Sequence, residues 1–452
     1  MNINQIIKLK IIDMTDEGSA VGKIDNIAVF CNKGVVGDVV LAQIIKVKKN
    51  YLVANVKEIL KKSDLRSKRK VCEIQDFCGG CQILDISYNN QLKIKKDMVF
   101  QKLTRIGKID NPKINNVVGM DSPFRYRNKV QLPVGGTIND VKIGFYRQKS
   151  HDIIPFKDCI IQDEINNEII KMIKNYMSIA KIIPYNEKDS TGVLRHIVTK
   201  ISNDKSQIML ILVTNTDKKL DISYLVEEIK KNSLNITSII QNINKKNTNV
   251  ILSSDNILLY GSDFITEYID DLKFKIYPNS FFQVNYVQME KMYKKALEYA
   301  NIDKDDVVYD LYCGIGTISL LLAKKAKYVY GIEVVQQSIV SAKENARNNR
   351  IENIKFICGK VENEIIDLTK NEKSPDIIVL DPARKGCEIT VLNTILSVSP
   401  KRIVYISCNP STLARDLNIL LDSGKYILEE ITPFDLFCHS THIENVVLLS
   451  KI

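Results

Sequence analysis

The sequence predicts an α/β protein with three parts: a small OB-like β-barrel over residues 1–62, a mixed α+β region over 63–275, and a doubly wound, Rossmann-like domain over 276–452. Short β-rich runs separated by glycines fill the first part, which is typical of a small barrel. Strand and helix patterns alternate through the last part, which is typical of a parallel sheet covered by helices. A chain of 452 residues is long enough for about two to four domains.

Composition indicates an ordinary globular protein with an excess of positive charge. Hydrophobic residues make up 45% of the chain, charged residues 26%, and the net charge is +11. Such a charge favours a polyanionic partner. Because the N-terminus lacks a signal-peptide pattern and no apolar run could span a bilayer, we expect a cytoplasmic protein without membrane contact. Its 10 cysteines are then thiols or metal ligands. We also expect a monomer without an obligate protein partner.

The N-terminal part combines strand patterns with positive charge. The β-rich runs cover residues 6–12, 28–31, 39–47 and 51–59. A basic stretch accompanies and follows them, made of Lys46, Lys48, Lys49, Lys57, Lys61, Lys62, Arg66, Lys68, Arg69 and Lys70. Lysines and arginines beside a small barrel favour contacts with nucleic-acid phosphates, which give affinity without sequence preference. The alternative is an ordinary solvated face.

Three cysteines cluster beside a tight turn. They occur as Cys72-x5-Cys78-Gly79-Gly80-Cys81, and Cys159 follows at a distance. The glycines allow the backbone to bend closely around a metal centre. Four thiolates suit either tetrahedral zinc or an iron–sulfur cluster. The remote fourth cysteine and the lack of a second Cys-x2-Cys pair make a zinc knuckle the less natural of the two.

The middle of the chain has weaker signals. Residues 87–107 have apolar side chains at helical spacing, and the segment from about 90 to 120 is a candidate to pack on the C-terminal domain. Residues 124–129 alternate aromatic and basic side chains. A strand here would give Arg125 and Arg127 a cationic face for RNA, with aromatics for base stacking. An ordinary amphipathic strand fits this pattern equally well.

The C-terminal domain carries a nucleotide-type pattern. We predict a helix over 281–299 and strands that end at Leu311, Glu333, Leu380 and Ser407. The loop Asp310-Leu311-Tyr312-Cys313-Gly314-Ile315-Gly316 follows the first of these strands and opens a helix. An acid about twenty residues later, Glu333, is placed to bind ribose hydroxyls. The third glycine of the dinucleotide pattern is absent, which favours an adenosyl ligand without pyrophosphate, namely S-adenosylmethionine.

Two further side chains are expected at the same sheet edge. Asp381 follows one apolar strand and Cys408 follows another, and ligands bind beyond the carboxyl ends of strands in open α/β sheets. A thiol fixed there is a candidate nucleophile, although a lone cysteine is more often a buried apolar residue.

With these motifs assembled, the chain resembles the uracil-5 RNA methyltransferases, and most closely their branch that modifies 23S ribosomal RNA and carries an iron–sulfur cluster. The resemblance extends over essentially the whole chain. It implies that residues 1–62 form an RNA-binding TRAM barrel. It also implies a 4Fe–4S cluster held by Cys72, Cys78, Cys81 and Cys159.

The resemblance further assigns site residues. The implied cofactor-binding residues are Gln283 of Phe281-Phe282-Gln283-Val284-Asn285, together with Asp310, Tyr312, Gly314, Gly316, Glu333 and Asp381. Cys408 within Ser407-Cys408-Asn409-Pro410 is the implied nucleophile, and Glu444 is the implied general base. Asp381 would contact the target base as well as the cofactor.

The chemistry agrees with these roles. Carbon 5 of uracil becomes nucleophilic only after a thiolate adds to carbon 6, which is covalent catalysis by Cys408. Asp381 would orient the ring, and Glu444 would remove the carbon-5 proton before the thiol is eliminated. The uridine must leave its stack to reach the thiol, so we expect a flipped base near Phe281, Asp381 and Cys408.

Three alternatives stay open at this stage. The first is a transfer-RNA uracil-5 methyltransferase. The second is a cytosine-5 RNA methyltransferase, but those enzymes usually have a second cysteine after the proline of the Asp-Pro motif, where this chain has Ala383. The third is a non-catalytic RNA-binding assembly factor, against which the intact Cys408 and Glu444 argue.

Overall fold

The computed structural model describes residues 1–68 and 70–452, so Arg69 of the predicted basic stretch lies outside the described residues. The first part is a closed barrel with the strand order β1-β2-β3-β5-β4. Along β1 the side chains of Ile7, Leu9 and Ile11 are buried and their neighbours face out, as period-two alternation predicts. The strands are β1 (Ile6–Met14), β2 (Ala20–Ile24), β3 (Ile27–Cys31), β4 (Val39–Val47) and β5 (Tyr51–Lys61). The predicted barrel is confirmed.

The central part is built on a seven-stranded sheet with the order β12-β11-β10-β9-β6-β7-β8. Strand β10 is buried along its whole length, which is why its sequence is continuously apolar. The strands are β6 (Lys129–Thr137), β7 (Asp140–Tyr146), β8 (Ile153–Pro155), β9 (Leu194–Ile201), β10 (Ile208–Thr214), β11 (Ile236–Ile243) and β12 (Asn256–Gly261). The helices α2 (Ile165–Ile179) and α3 (Ser223–Lys231) pack against each other and contribute side chains to the core of this sheet.

The C-terminal domain contains a seven-stranded sheet with the order β17-β16-β15-β18-β19-β21-β20. All strand pairs are parallel except those of β21, which runs antiparallel to both neighbours. The strands are β15 (Val307–Leu311), β16 (Tyr328–Glu333), β17 (Ile354–Cys358), β18 (Ile377–Leu380), β19 (Arg402–Ser407), β20 (Tyr426–Phe434) and β21 (Glu444–Lys451). The helices are α4 (Tyr286–Ala300), α5 (Thr317–Ala323), α6 (Gln336–Asn348), α7 (Val361–Asn371), α8 (Ile389–Val398) and α9 (Pro410–Asp422). The strand order reverses between β15 and β18, which is where such sheets bind ligands.

Two segments outside residues 276–452 pack on this domain. Helix α1 (Tyr88–Arg105) packs on α9, and the chain after it pairs with β20 through Asn115 N and Val118 N, which donate to the carbonyls of Ile431 and Pro433. The hairpin of β13 (Ile265–Ile269) and β14 (Leu272–Ile276) buries its apolar side chains in the same core. The boundary that we placed after residue 275 therefore cuts through β14.

Two local predictions are wrong. The helix predicted over 281–299 begins only at Tyr286, because Asn285 Oδ1 accepts from Gln288 N (3.2 Å) and caps it. Residues 281–284 therefore form a loop. Residues 124–128 are not a regular strand, since Arg125 has a left-handed backbone with φ 55°. In the described part of the chain, no helix is long and apolar enough to cross a membrane.

Candidate active site

The three proposed catalytic residues come from three adjacent strands. Asp381 directly follows β18, Cys408 directly follows β19, and Glu444 begins β21. Since β21 is antiparallel to β19 and pairs Asn445 with Ser407, its first residue lies at the carboxyl edge of the parallel strands. The fold thus brings together side chains that are far apart in the sequence.

Burial and mutual charge shift the pKa values of this group. Burial, together with the neighbouring Asp381 and against the lowering effect of Arg384, raises the pKa of Glu444 to about 8. Burial raises the pKa of Asp381 to about 7. The pKa of the Cys408 thiol is raised to about 12, first by burial and then by Glu444 and Asp381, against the lowering effect of Arg384. The charge on each of these groups therefore affects the pKa values of its neighbours, and burial strengthens the effect.

Beside this group, a cavity of about 50 Å³ lies at the switch point of the sheet. Its lining includes Gln283, Asp310, Tyr312, Gly314 and Asp381, which are predicted cofactor residues, and also Phe281. Phe281 is 69% exposed, so its ring is available to stack on a base. The loop of residues 281–284 thus borders both the predicted donor site and the catalytic group.

The loop of residues 310–316, which we call the glycine loop, allows a ligand to approach its backbone closely. A Cβ added at Gly314, where φ is 55°, would meet no atom within 4 Å, whereas one at Gly316 would lie 2.8 Å from the Phe356 ring. Open space at Gly314 lets a ligand contact the backbone. Glu333 holds the loop from the next strand, accepting from Gly314 N (3.2 Å) and Val335 N (2.9 Å).

Asp310 is buried beneath this loop. Its carboxyl group accepts a hydrogen bond from the Ser319 hydroxyl, and burial raises its pKa to about 7. The same loop contains Tyr312, whose backbone is also left-handed at φ 67°. The carboxyl group is therefore held in place by a helix residue that sequence analysis did not identify.

Hydrogen bonds also join the two loops that carry Asp381 and Cys408. Asn409 Nδ2 and Thr412 Oγ1 both donate to the carbonyl oxygen of Arg384, over 3.0 and 3.2 Å. Asp416, which is fully buried, accepts from Tyr405 Oη (2.7 Å) and Cys387 N (2.8 Å). The sequence did not indicate that these residues position the two loops. Only the helix cap could have been recognised, because Asn409 directly precedes a proline at the first helical position.

The loop before Glu444 is fixed by α1. Lys95 and Asp435 form an ion pair in which both side chains are fully buried, and Tyr88 Oη also donates to Asp435 (2.8 Å). Gln91 pairs with the His439 ring over 3.1 Å. Nothing in the sequence linked these distant positions. His442 is half-buried nearby, and burial lowers its pKa.

The four predicted metal ligands border one cavity. Cys72, Cys78, Cys81 and Cys159 line a space of about 260 Å³. Burial raises the pKa of Cys159 to about 11, and burial together with the other three thiols raises that of Cys81. Among residues 1–68 and 70–452, however, no three histidine, cysteine or acidic side chains converge as a metal-ligand group.

The two arginines predicted to face RNA have internal partners. Arg125 forms an ion pair with Asp158 (2.6 Å) and donates to the Cys159 carbonyl oxygen (2.6 Å). Arg127 donates through Nε to the Lys129 carbonyl oxygen (3.0 Å) and lines the cysteine cavity. The chain turns at Arg125, and the guanidinium groups of both residues bind protein acceptors; contact with RNA through them stays a prediction.

The parallel sheet, with its one antiparallel strand β21 between β19 and β20 and a cavity at its switch point, fits a domain that binds a nucleotide-type ligand at this edge. Residues 87–452 match the family model described as tRNA (Uracil-5-)-methyltransferase, and residues 2–57 match the TRAM domain. The chain belongs to this family of RNA uracil-5 methyltransferases.

Individual relatives are similar to this chain over nearly its whole length. An uncharacterized RNA methyltransferase of Clostridium acetobutylicum is 46% identical over 99% of this chain and 98% of its own. One of Clostridium tetani is 43% identical over 99% of this chain and 96% of its own. The Pyrococcus abyssi tRNA (uracil-54, C5)-methyltransferase in complex with S-adenosyl-L-homocysteine is similar in structure, with a TM-score of 0.78 and 26% identity over 98% of this chain and 100% of that one.

Proposed function

We propose that this enzyme methylates carbon 5 of a uridine in 23S ribosomal RNA, with Cys408 as nucleophile, Glu444 as general base and Asp381 orienting the base. The observation that carries the proposal is the grouping of these three side chains at the carboxyl edge of β18, β19 and β21, beside the switch-point cavity. A thiol and a separate carboxylate are the two groups that the addition and elimination steps require.

In the proposed reaction the Cys408 thiol releases its proton to water and its sulfur adds to carbon 6, while the π electron pair of the carbon 5–carbon 6 double bond moves to carbon 5. When bound, S-adenosylmethionine would supply an electrophilic methyl group. Carbon 5 would form a bond to that methyl group while the bond from methyl to the donor sulfur breaks, which leaves neutral S-adenosylhomocysteine. Glu444 then accepts the carbon-5 proton, the double bond re-forms, and the Cys408 sulfur leaves carbon 6. Glu444 then passes its proton to water and the Cys408 thiolate takes a proton up, so each residue ends in its starting form.

The pKa values of Cys408 and Glu444 bear on when each residue can act in the reaction. Burial raises the pKa of the Cys408 thiol to about 12, which favours the protonated thiol over the thiolate at neutral pH. A positive charge beside Cys408, Asp381 and Glu444, such as the sulfur of a bound methyl donor would supply, lowers their pKa values and increases the fraction of Cys408 thiolate. Glu444, with a pKa of about 8, is a stronger base than an exposed carboxylate.

Methyl transfer from labelled S-adenosylmethionine to total RNA tests this proposal. Cys408→Ala should abolish transfer, while Cys31→Ala, which removes a thiol from the barrel core, should leave it nearly unchanged. An oligonucleotide with 5-fluorouridine should become covalently attached to the wild type, since fluorine cannot be removed as a proton. Continued transfer without any attachment would contradict the covalent mechanism.

We propose ribosomal RNA because four cysteines line one cavity and because the chain resembles the branch of the family that modifies 23S ribosomal RNA and carries an iron–sulfur cluster. The structural similarity to a transfer-RNA enzyme supports transfer RNA as the second candidate. Mapping methylated uridines in both RNA classes, with and without the gene, separates the two. Loss of a 5-methyluridine from transfer RNA alone would exclude the ribosomal assignment, and 5-methylcytidine as product would exclude uracil chemistry.

We further propose that Cys72, Cys78, Cys81 and Cys159 hold a 4Fe–4S cluster. A cavity of about 260 Å³ is far larger than one ion needs, and thiols spread around it suit several iron atoms better than a single zinc. The cluster would stabilise the fold beside the site, as methyl transfer involves no redox step. Cytoplasmic location and a monomeric state stay predictions.

A further inference from the structure

Lys200, in strand β9 of the central sheet, is a buried cation. The residue is 4% exposed, and burial lowers the pKa of its ammonium group well below the ordinary value. Among the described residues, no acidic side chain forms an ion pair with it. A buried ammonium group is costly unless hydrogen bonds compensate for the lost water. The acceptors that it does have therefore indicate which part of the molecule the lysine stabilises.

Both acceptors belong to residues 277–284, the segment between β14 and the cap of α4, which we call the donor loop. Lys200 Nζ donates to the carbonyl oxygens of Tyr277 (2.7 Å) and Ser280 (2.8 Å). Hydrogen bonds from a charged donor are stronger than those between neutral groups. The ammonium group thus fixes the backbone directly before Phe281.

Asn128 holds the other half of the same loop. Its Nδ2 donates to the Gln283 carbonyl oxygen (3.1 Å), and its backbone N donates to the Val284 carbonyl oxygen (2.9 Å). Ile201 N in turn donates to the Asn128 carbonyl oxygen (2.9 Å). Asn128 is thereby tied to the residue that follows Lys200, and the two side chains hold the donor loop from one place on the central sheet.

The donor loop contributes to a site in a different domain. Phe281 and Gln283 line the cavity at the switch point of the C-terminal sheet, whereas Lys200 does not line that cavity. Because the loop carbonyls already have donors from the central sheet, the loop is ordered before a ligand arrives. Ordering a loop in advance removes part of the entropic cost of binding.

We propose that Lys200, together with Asn128, is a positioning residue for the methyl-donor site, through which the central sheet sets the shape of the donor loop. The inference rests on the assignment of the switch-point cavity to S-adenosylmethionine. Lys129 provides the comparison, because it lies opposite Lys200 in the register of β6 and β9 and lines the same small cavity. In the part of the chain that the structure describes, its ammonium group makes no hydrogen bond to the donor loop.

The order of the loop can be measured without a ligand, because the chain contains no tryptophan. Phe281→Trp places a single fluorophore on the donor loop, at a side chain that is mostly exposed. In this background Lys200→Met should lower the fluorescence anisotropy of the tryptophan and increase its quenching by acrylamide, since two backbone carbonyls lose their donor. Lys129→Met should change neither quantity.

Calorimetric titration with S-adenosylhomocysteine, in chains that keep Phe281, measures the effect on the site. Lys200→Met should raise the Kd about 10-fold, because the loop must then be ordered on binding. Asn128→Asp should also raise it, since a carboxylate replaces the donor to the Gln283 carbonyl oxygen. Lys129→Met should leave the Kd within about 2-fold. Thermal melts show whether each variant is folded.

The outcomes separate this inference from the assignment on which it rests. Wild-type protein that does not bind S-adenosylhomocysteine would overturn the donor site and the inference together. Binding by the wild type, with the same Kd and anisotropy in Lys200→Met and Lys129→Met, would overturn only the role of Lys200. If Lys200→Met does not fold, Asn128→Asp decides, and an unchanged Kd in that variant overturns the proposal.

Discussion

Asn409 Nδ2 donates a hydrogen bond to the carbonyl oxygen of Arg384 over 3.0 Å, which joins the loop after the catalytic cysteine to the loop after Asp381. The same side chain caps α9, because Asn409 Oδ1 accepts from Ser411 N over 3.0 Å. One amide therefore fixes the start of a helix and the spacing of two catalytic loops. Its two roles can be separated by mutation.

Asn409→Ala should lose both roles and Asn409→Asp only the donor. We expect the alanine variant to lose about 1–2 kcal/mol of unfolding free energy, since a cap is removed, and the aspartate variant to lose less. Both should lower kcat, because the Arg384 loop is no longer tied to the Cys408 loop. Chemical denaturation and single-turnover methyl transfer measure the two effects. Equal kcat for aspartate and wild type would show that the link between the loops does not contribute to catalysis.

Glu444→Gln should trap the covalent RNA adduct. Addition and methyl transfer do not need a base at the carbon-5 proton, but elimination does, so methylated RNA should stay attached to Cys408. Denaturing gels with labelled RNA detect the adduct. Glu429→Gln, an exposed change on the adjacent β20, is the matched control and should turn over normally. Absence of an adduct in Glu444→Gln, with turnover intact, would exclude Glu444 as the base.

The raised pKa of Glu444 also predicts a pH-dependent change in stability. Because burial raises it from 4.5 to about 8, the folded state binds a proton that the unfolded state releases, and wild-type stability falls as the pH rises from about 4.5 to 8. Glu444→Gln avoids this cost. We expect it to raise the unfolding free energy by about 1–3 kcal/mol at pH 9 and to have little effect at pH 4.5. Thermal melts at both pH values, again with Glu429→Gln, provide the comparison.

The glycine loop offers a matched pair of alanine substitutions. Gly314→Ala adds a Cβ in open space, so it should cost about 1–2 kcal/mol of stability from its left-handed backbone but weaken binding of the methyl donor strongly. Gly316→Ala has the same backbone cost and also places a Cβ 2.8 Å from the Phe356 ring, so it should be the less stable of the two. Calorimetric titration with S-adenosylhomocysteine and thermal melts measure both. Unchanged affinity in Gly314→Ala would move the donor site away from this loop.

The buried pair of Lys95 and Asp435 should be sensitive to loss of one partner. Lys95→Met leaves a carboxylate buried without its cation and should cost about 3–5 kcal/mol of unfolding free energy. Lys96→Met, one residue along α1 at a half-buried site with an exposed contact to Asn116, should cost under about 0.5 kcal/mol. Urea unfolding compares them. Similar stability of the two variants would show that the pair does not anchor the loop before Glu444.

The sequence alone determined the barrel, the alternating C-terminal domain and the strand ends at Leu311, Glu333, Leu380 and Ser407. These features come from local periodicity, from glycines and from caps, which act over a few residues and can be read directly. The family resemblance added Glu444 and Gln283, which periodicity alone does not distinguish from other polar residues.

Only the tertiary structure decided which distant side chains meet. The antiparallel course of β21 brings Glu444 to the sheet edge that carries Cys408. A turn at Arg125 interrupts the strand that the alternating pattern predicts, and the Arg125 guanidinium group pairs with Asp158. Lys95 and Asn409 depend on partners from chain segments that are distant in the sequence. Burial and charge pairing are properties of the assembled fold, and a linear pattern of residue types does not contain them.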